Sequence, residues 1–173
     1  MVNEDPLHRP QLAASLNNLA GVYTVLGKYA AAKEVYERAI EIKQTAFGPN
    51  HPDLALTLRN MARLHRLQKR FKEAEALYRK ALRIWEGDKK ANRKEIAATL
   101  EQLIRLYQAT GDDLRVEPLY RRLIEEKTKL LGGDHPEVAA DLEAYAQILK
   151  RAGRTAEARR YEERAKTIRA KKK

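Results

Sequence analysis

Residues 51–92 read HPDLALTLRNMARLHRLQKRFKEAEALYRKALRIWEGDKKAN, and this stretch decides the fold. Leu54, Leu58, Met61, Ala62 and Leu64 recur at the spacing of one helical face. Phe71, Ala74, Leu77, Tyr78, Ala81 and Leu82 form a second stripe of the same kind. Pro52 suits the first helical position, where a missing N–H costs nothing. Asp53 follows it near the positive end of the helix dipole. The segment is therefore two amphipathic helices joined by a short turn. No alternating strand pattern competes with it.

Working outward, the same pattern recurs every 42 residues. His51-Pro52 returns as His135-Pro136, and Arg9-Pro10 and Arg93-Lys94 hold the intervening positions. One column reads Leu16, Leu58, Leu100, Leu142, and another Ala13, Ala55, Ala97, Ala139. A turn column reads Gly27, Lys69, Gly111, Gly153, where Gly can take the left-handed position that ends a helix. The frame divides the chain into a lead at 1–8 and four units at 9–50, 51–92, 93–134 and 135–173. Phe47-Gly48-Pro49-Asn50 and Leu131-Gly132-Gly133-Asp134 read as loops between units. Helices of about 18 residues would be about 27 Å long. Alanine columns let helices approach closely, and one hairpin cannot bury its own stripe. Stacked units, giving an all-α, right-handed superhelical solenoid of about eight helices, are the expected result.

Composition narrows the function. The 173-residue chain is 34% charged and 43% hydrophobic, too apolar for a disordered chain and too charged for a membrane one. It has no cysteine, which excludes disulfides, thiolate metal sites and thiol nucleophiles. The start, Met1-Val2-Asn3-Glu4-Asp5-Pro6, lacks the features of a secretory signal, and no apolar run is long enough to span a bilayer. A soluble, cytoplasmic protein is the expectation. The net charge of +11 calls for an acidic partner. It is uneven: the second unit carries +6, the third 0 and the fourth +5, much of the last on Arg159, Arg160, Arg164, Lys166, Arg169 and Lys171-Lys172-Lys173.

Leu16-Asn17-Asn18-Leu19-Ala20-x-x-Tyr23, Gly27-x-Tyr29, Ala32, Tyr36, Ala39 and Gly48-Pro49-x-His51-Pro52 resemble the tetratricopeptide repeat. The 42-residue period and the Gly-Pro-x-His-Pro junction are similar to the kinesin-light-chain type. The resemblance implies a scaffold whose first helices line a concave groove that takes a protein segment. The departures are Asp113 in the column of Tyr29 and Phe71, Pro118 within a second helix, and Glu162 in the column of Tyr36, Tyr78 and Tyr120.

The groove positions are the polar ones on each first helix, expected to face away from the second. They are Asn17, Asn18 and Gly21; Arg59, Asn60, Arg63 and Arg66; Glu101, Gln102, Arg105 and Gln108; and Glu143, Ala144 and Gln147. Asn offers donor and acceptor to a peptide backbone. Arg59, Arg63 and Arg66 form a ladder able to hold carboxylates. The candidate peptide-binding set is Asn17, Asn18, Arg59, Asn60, Arg63, Arg66, Gln102 and Arg105, and an acidic segment is the expected partner.

Enzymatic readings lack support in the sequence. His8, His51, His65 and His135 have no metal-ligand spacing, so no metal and no cofactor is expected. His51 and His135 sit at unit junctions, and His65 takes the core column of Tyr23 and Tyr107. Ser15 is the one serine and has no histidine nearby in sequence; Gly132-Gly133 is a bare turn rather than a phosphate loop. Trp85 is expected to pack under a loop rather than to meet solvent. The reading is a non-catalytic interaction scaffold. A module that self-assembles through its terminal helices comes second, and a basic nucleic-acid binder third.

Overall fold

The computed structural model describes residues 9–171. The lead at 1–8, with His8, and the last two lysines of the basic tail, Lys172 and Lys173, lie outside the described residues. The described residues form eight helices and no strand. They are α1 (Arg9–Val25), α2 (Tyr29–Phe47), α3 (Pro52–Leu67), α4 (Phe71–Glu86), α5 (Arg93–Thr110), α6 (Asp113–Leu131), α7 (Pro136–Arg151) and α8 (Thr155–Ala170). This is the all-α solenoid class, built of helix–turn–helix hairpins.

Local chemistry sets the hairpin ends. Each first helix closes the same way: Lys28, Arg70, Asp112 and Arg154 donate their N–H groups to Tyr23, His65, Tyr107 and Leu149, all at 2.9 Å. That closure needs a left-handed residue just before the donor. Gly27, Gly111 and Gly153 supply it with φ of 72°, 71° and 76°, and Lys69 is forced into it at φ 60°. His51 and His135 cap α3 and α7 directly. Their Nδ1 atoms accept from the N–H groups of Asp53 (3.2 Å) and Glu137 (3.3 Å), and Pro52 and Pro136 open the helices. α6 runs unbroken through Pro118, which falls in its second turn.

By contacts the chain divides at Gly87–Asp88 into two compact units. In the first, α1 packs on α2, α3 on α4, and α2 on α3. Its axis is small residues: Ala13, Ala20, Ala32, Ala39, Ala55, Ala62, Ala74 and Ala81 are all fully buried. Tyr36, Met61 and Leu64 fill the space between them, and Tyr78 and Trp85 complete the α4 side. Trp85 is thus packed, as its sequence position suggests. His65 is buried in the core, as its column suggests. In the second unit α5 packs on α6, α6 on α7 and α7 on α8. Ile96, Leu100, Leu106, Leu123, Val138, Leu142, Tyr145 and Leu149 form its core.

Candidate functional site

The candidate residues lie on α1 and α3 of the first unit and on α5 of the second. α1 and α3 sit side by side, and a buried amide joins them. Asn60 Nδ2 donates to Asn17 Oδ1 at 3.0 Å, and Asn17 Nδ2 reaches Asn18 Oδ1 at 3.4 Å. Asn17 is almost fully buried, whereas Asn18 is exposed. The three amides form a short ladder with its open end at Asn18.

The arginines differ from one another. Arg59 lies with its guanidinium 4.9 Å from the Trp85 ring centroid, a cation–π contact across the hairpin. Arg66 is half-buried beside Tyr78; its Nε and the Tyr78 hydroxyl are both buried without a well-formed hydrogen bond. Burial pushes the Tyr78 hydroxyl pKa up, and the positive field of Arg66, Arg63 and Arg59 pulls it back. Burial likewise raises Tyr36, with Thr24 and Arg63 opposing it. Arg63 is exposed. Among the described residues, neither Arg63 nor Arg66 has a carboxylate at ion-pair distance. On α5, Gln102 is half-buried with its Oε1 unpartnered, and Arg105 is exposed.

Two of the columns expected to face away from the second helix are in fact tied to it. Arg59 and Trp85 are 26 residues apart, and the same offset recurs with other chemistry. Glu101 pairs with Lys127 at 2.7 Å, and Arg169 grips Glu143 with two bonds of 2.7 Å. A second tie recurs at an offset of 12 residues. Gln108 donates to the Tyr120 hydroxyl at 3.4 Å, Lys150 pairs with Glu162 at 2.5 Å, and Arg66 lies by Tyr78. The physical reason is reach: long polar side chains fold back over the apolar stripe of the partner helix and keep their charged ends in water. Asn18, Asn60, Arg63, Gln102 and Arg105 belong to the other two columns.

Lys127 is the most enclosed of these charges. Besides Glu101 it meets Asp141 at 3.0 Å and Glu137 at 3.5 Å. Burial opposes its charge, but Glu101 and Asp141 outweigh burial and push its pKa up. Lys43, the same column in the first unit, has the Asp53 carbonyl at 3.0 Å instead, and burial lowers its pKa. No cluster of metal-ligating side chains occurs among the described residues. No helix among them is long and apolar enough to cross a membrane.

Comparison with known proteins places this geometry. The tetratricopeptide-repeat family model matches residues 11–87 and again 95–171. The chain belongs to the tetratricopeptide repeat family. Tetratricopeptide-repeat proteins are generally non-catalytic protein-interaction scaffolds, and the two matched stretches correspond closely to the two compact units. Comparison with curated protein sequences gives no significant match. Among solved structures, BtubC (BKLC) from P. vanneervenii is similar at 24% identity and a TM-score of 0.80; the match covers 98% of this chain and 66% of that one. A kinesin-light-chain-like protein from Podosopora anserina, with nearly identical TPR-like repeats, matches at 24% identity and a TM-score of 0.75. That match covers 93% of this chain and 76% of the other. Aspartyl phosphate phosphatase F from Bacillus subtilis shares the fold at 16% identity and a TM-score of 0.77, over 94% of this chain and 41% of its own. These likenesses show a shared tetratricopeptide-repeat fold.

Proposed function

We propose that this tetratricopeptide-repeat chain is a non-catalytic scaffold that captures an acidic protein segment on the α1–α3 surface of its first unit. The observation that carries the reading is Arg63 and Arg66. Both are cationic, lie one turn apart on α3, and have no carboxylate partner among the described residues. Arg59, held over Trp85, adds a preoriented positive charge to the same face. The open end of the amide ladder at Asn18 supplies donor and acceptor for the segment's backbone. Gln102 and Arg105 present the same columns on α5. The test is affinity capture of partners by the wild-type chain, followed by titration with Arg63→Glu. Loss of about tenfold in affinity corresponds to about 1.4 kcal/mol, the scale of one charge-assisted contact. Unchanged affinity for every captured partner would sink the reading.

A second reading, self-association, is favoured by one observation. Leu19 and Val22 on α1 are 41% and 54% exposed, while the residues of their columns on α3, α5 and α7 are buried. α1 also carries no charge after Arg9, so two copies could meet there without repulsion. α8 by contrast is strongly polar, so the contact would join α1 to α1 rather than α1 to α8. Sedimentation of Leu19→Glu/Val22→Glu decides it: a concentration-dependent dimer that disappears in the variant supports the reading, and a wild-type monomer at all concentrations excludes it.

A further inference from the structure

The second unit holds a depression that the α1–α3 reading does not use. α6 and α8 both pack on α7 and leave a trough between them. The trough has a volume of about 410 Å³ and is lined by Arg121, Ile124, Thr128, Tyr161 and Arg164, with the Glu125–Lys129 pair at its edge. Its floor is apolar and fixed. Tyr161 stands edge-on to the buried Tyr145 ring at 4.7 Å, and Tyr145 stacks on Tyr120 at 6.1 Å. Ile124 is buried beside it, and the Thr128 hydroxyl is buried without a hydrogen-bond partner. A second depression, rimmed by Arg160 and Glu157, adjoins the first across Tyr161 and Arg164.

The rim is positive for a specific reason. Glu125 is held by Lys129, Glu157 by Arg154 at 2.5 Å, and Arg121 by Glu117 at 3.1 Å. Arg160 and Arg164 are exposed and meet no carboxylate among the described residues. The chain contains its own comparison. The positions 84 residues earlier, on α2 and α4, are Glu37, Ile40, Glu41, Gln44, Thr45, Ala76, Leu77 and Lys80. The apolar floor recurs there as Ile40 and Leu77, but the rim is acidic on one wall and has alanine where Arg160 stands. Packing explains the floor in both units. Lys80 stands where Arg164 does, so what packing does not explain is why only the second unit sets a pair of arginines, Arg160 and Arg164, on that wall.

We propose that the α6–α8 trough is a second docking surface, and that its partner is an acidic protein segment that seats one apolar side chain on Ile124 and Tyr161 and sets carboxylates on Arg160 and Arg164. An apolar socket between two cations selects a side chain flanked by acids. A nucleic-acid backbone has no apolar side chain for the socket. A socket of this kind acts as an anchor, with the surrounding charges setting orientation and encounter rate.

The experiment uses the full chain and fluorescence anisotropy at low salt. The probes are a fluorescein-labelled glutamate-rich peptide with one central leucine, the same peptide with serine in its place, and a single-stranded oligodeoxynucleotide of equal charge. The proteins are wild type, Arg160→Glu/Arg164→Glu and Arg63→Glu. All three substitutions are at exposed positions, and circular dichroism melts confirm the fold. The proposal expects the leucine peptide to bind wild type, to weaken about tenfold or more with Arg160→Glu/Arg164→Glu, and to change less than about twofold with Arg63→Glu. It also expects the serine peptide to bind more weakly than the leucine peptide. The proposal is overturned if wild type fails to bind, if Arg160→Glu/Arg164→Glu binds equally well, if serine serves as well as leucine, or if the oligonucleotide binds as tightly. Loss with Arg63→Glu and not with the α8 pair would assign the peptide to the α1–α3 surface, leaving that reading standing and this one refuted.

Discussion

Lys69 occupies a backbone conformation for which three of the four equivalent turns use glycine. Its φ of 60° places a side-chain carbon in the left-handed region, which costs about 1–2 kcal/mol for an L-residue. The hairpin closure is nevertheless complete, with Arg70 donating to His65 at 2.9 Å. Lys69→Gly is therefore expected to stabilise the chain by about 1 kcal/mol, after the larger unfolded-state entropy of glycine is set against the relieved strain. A urea melt reads this as a higher midpoint at unchanged slope. A lower midpoint would show that Lys69 makes a contact worth more than its strain. His65 is the second case at this scale. Burial, reinforced by Arg70, lowers its pKa below the usual 6.5, so the folded state refuses a proton that the unfolded chain accepts. Its contribution is intact above about pH 6.5 and is lost as pH falls toward the folded pKa. His65→Tyr, which restores the residue of the Tyr23 and Tyr107 column, is expected to flatten the fall in melting temperature between pH 7 and pH 5. An unchanged pH profile would place the sensitivity elsewhere. Both residues were legible from their columns alone, because a turn or core position makes the same demand in every repeat.

The helices follow from sequence because each carries its own stripe, and the apolar period needs no partner to be read. The ties between helices are different. An offset of 26 residues joins first and second helices in the second, third and fourth repeats, yet the chemistry changes from repeat to repeat. Arg59 stacks on Trp85, Glu101 pairs with Lys127, and Glu143 pairs with Arg169. A column read one residue at a time shows only polar variety, so Arg59 looked like a groove residue. Reading the two columns as pairs would have found the tie. The candidate surface was accordingly half legible: Arg63, Asn18 and Arg105 are exposed as expected, whereas Asn17 is buried in the Asn17–Asn60 contact. The tie with the most to lose is Lys127, whose removal strands Glu101 and Asp141 together. Lys127→Ala is expected to cost about 3 kcal/mol or more, on the scale of breaking one partner out of a buried ion pair. Replacing the three groups together, as Glu101→Leu/Lys127→Met/Asp141→Thr, should recover most of that loss. If the single substitution lowers the melting temperature no more than a surface change does, the cluster is solvated and this account of it is wrong.

At the scale of the whole chain, the +11 charge separates into two units held together by different forces. The first rests on alanine close packing, the Asn17–Asn60 amide contact and the Arg59–Trp85 stack. Its Lys33–Glu37 and Arg38–Glu41 pairs each lie within one helix, where such pairs add only a few tenths of a kcal/mol. The second is laced between helices by Arg93–Glu126 at 2.6 Å, Lys127 with its carboxylates, Arg154–Glu117 at 2.7 Å and Arg169–Glu143 at 2.7 Å. Arg154 and Arg169 hold Glu117 and Glu143 below the usual 4.5. Depressed carboxylates contribute stability above that value and lose it as pH falls through their folded pKa. Asp141, pushed up by burial, offsets part of this, since it binds its proton more tightly folded than unfolded. In the His65→Tyr chain, which lacks the first unit's own acid-sensitive group, the net expectation is that acid loosens the second unit first. Hydrogen exchange on that intact chain from pH 7 to pH 3, corrected for intrinsic rates, should show helices α5–α8 losing protection before α1–α4. Added salt at neutral pH should lower protection in the same order, because it screens these partly exposed pairs and leaves apolar packing intact. Simultaneous loss in both units, or earlier loss in the first, would mean that the inter-helix ion pairs contribute little to holding the second unit together.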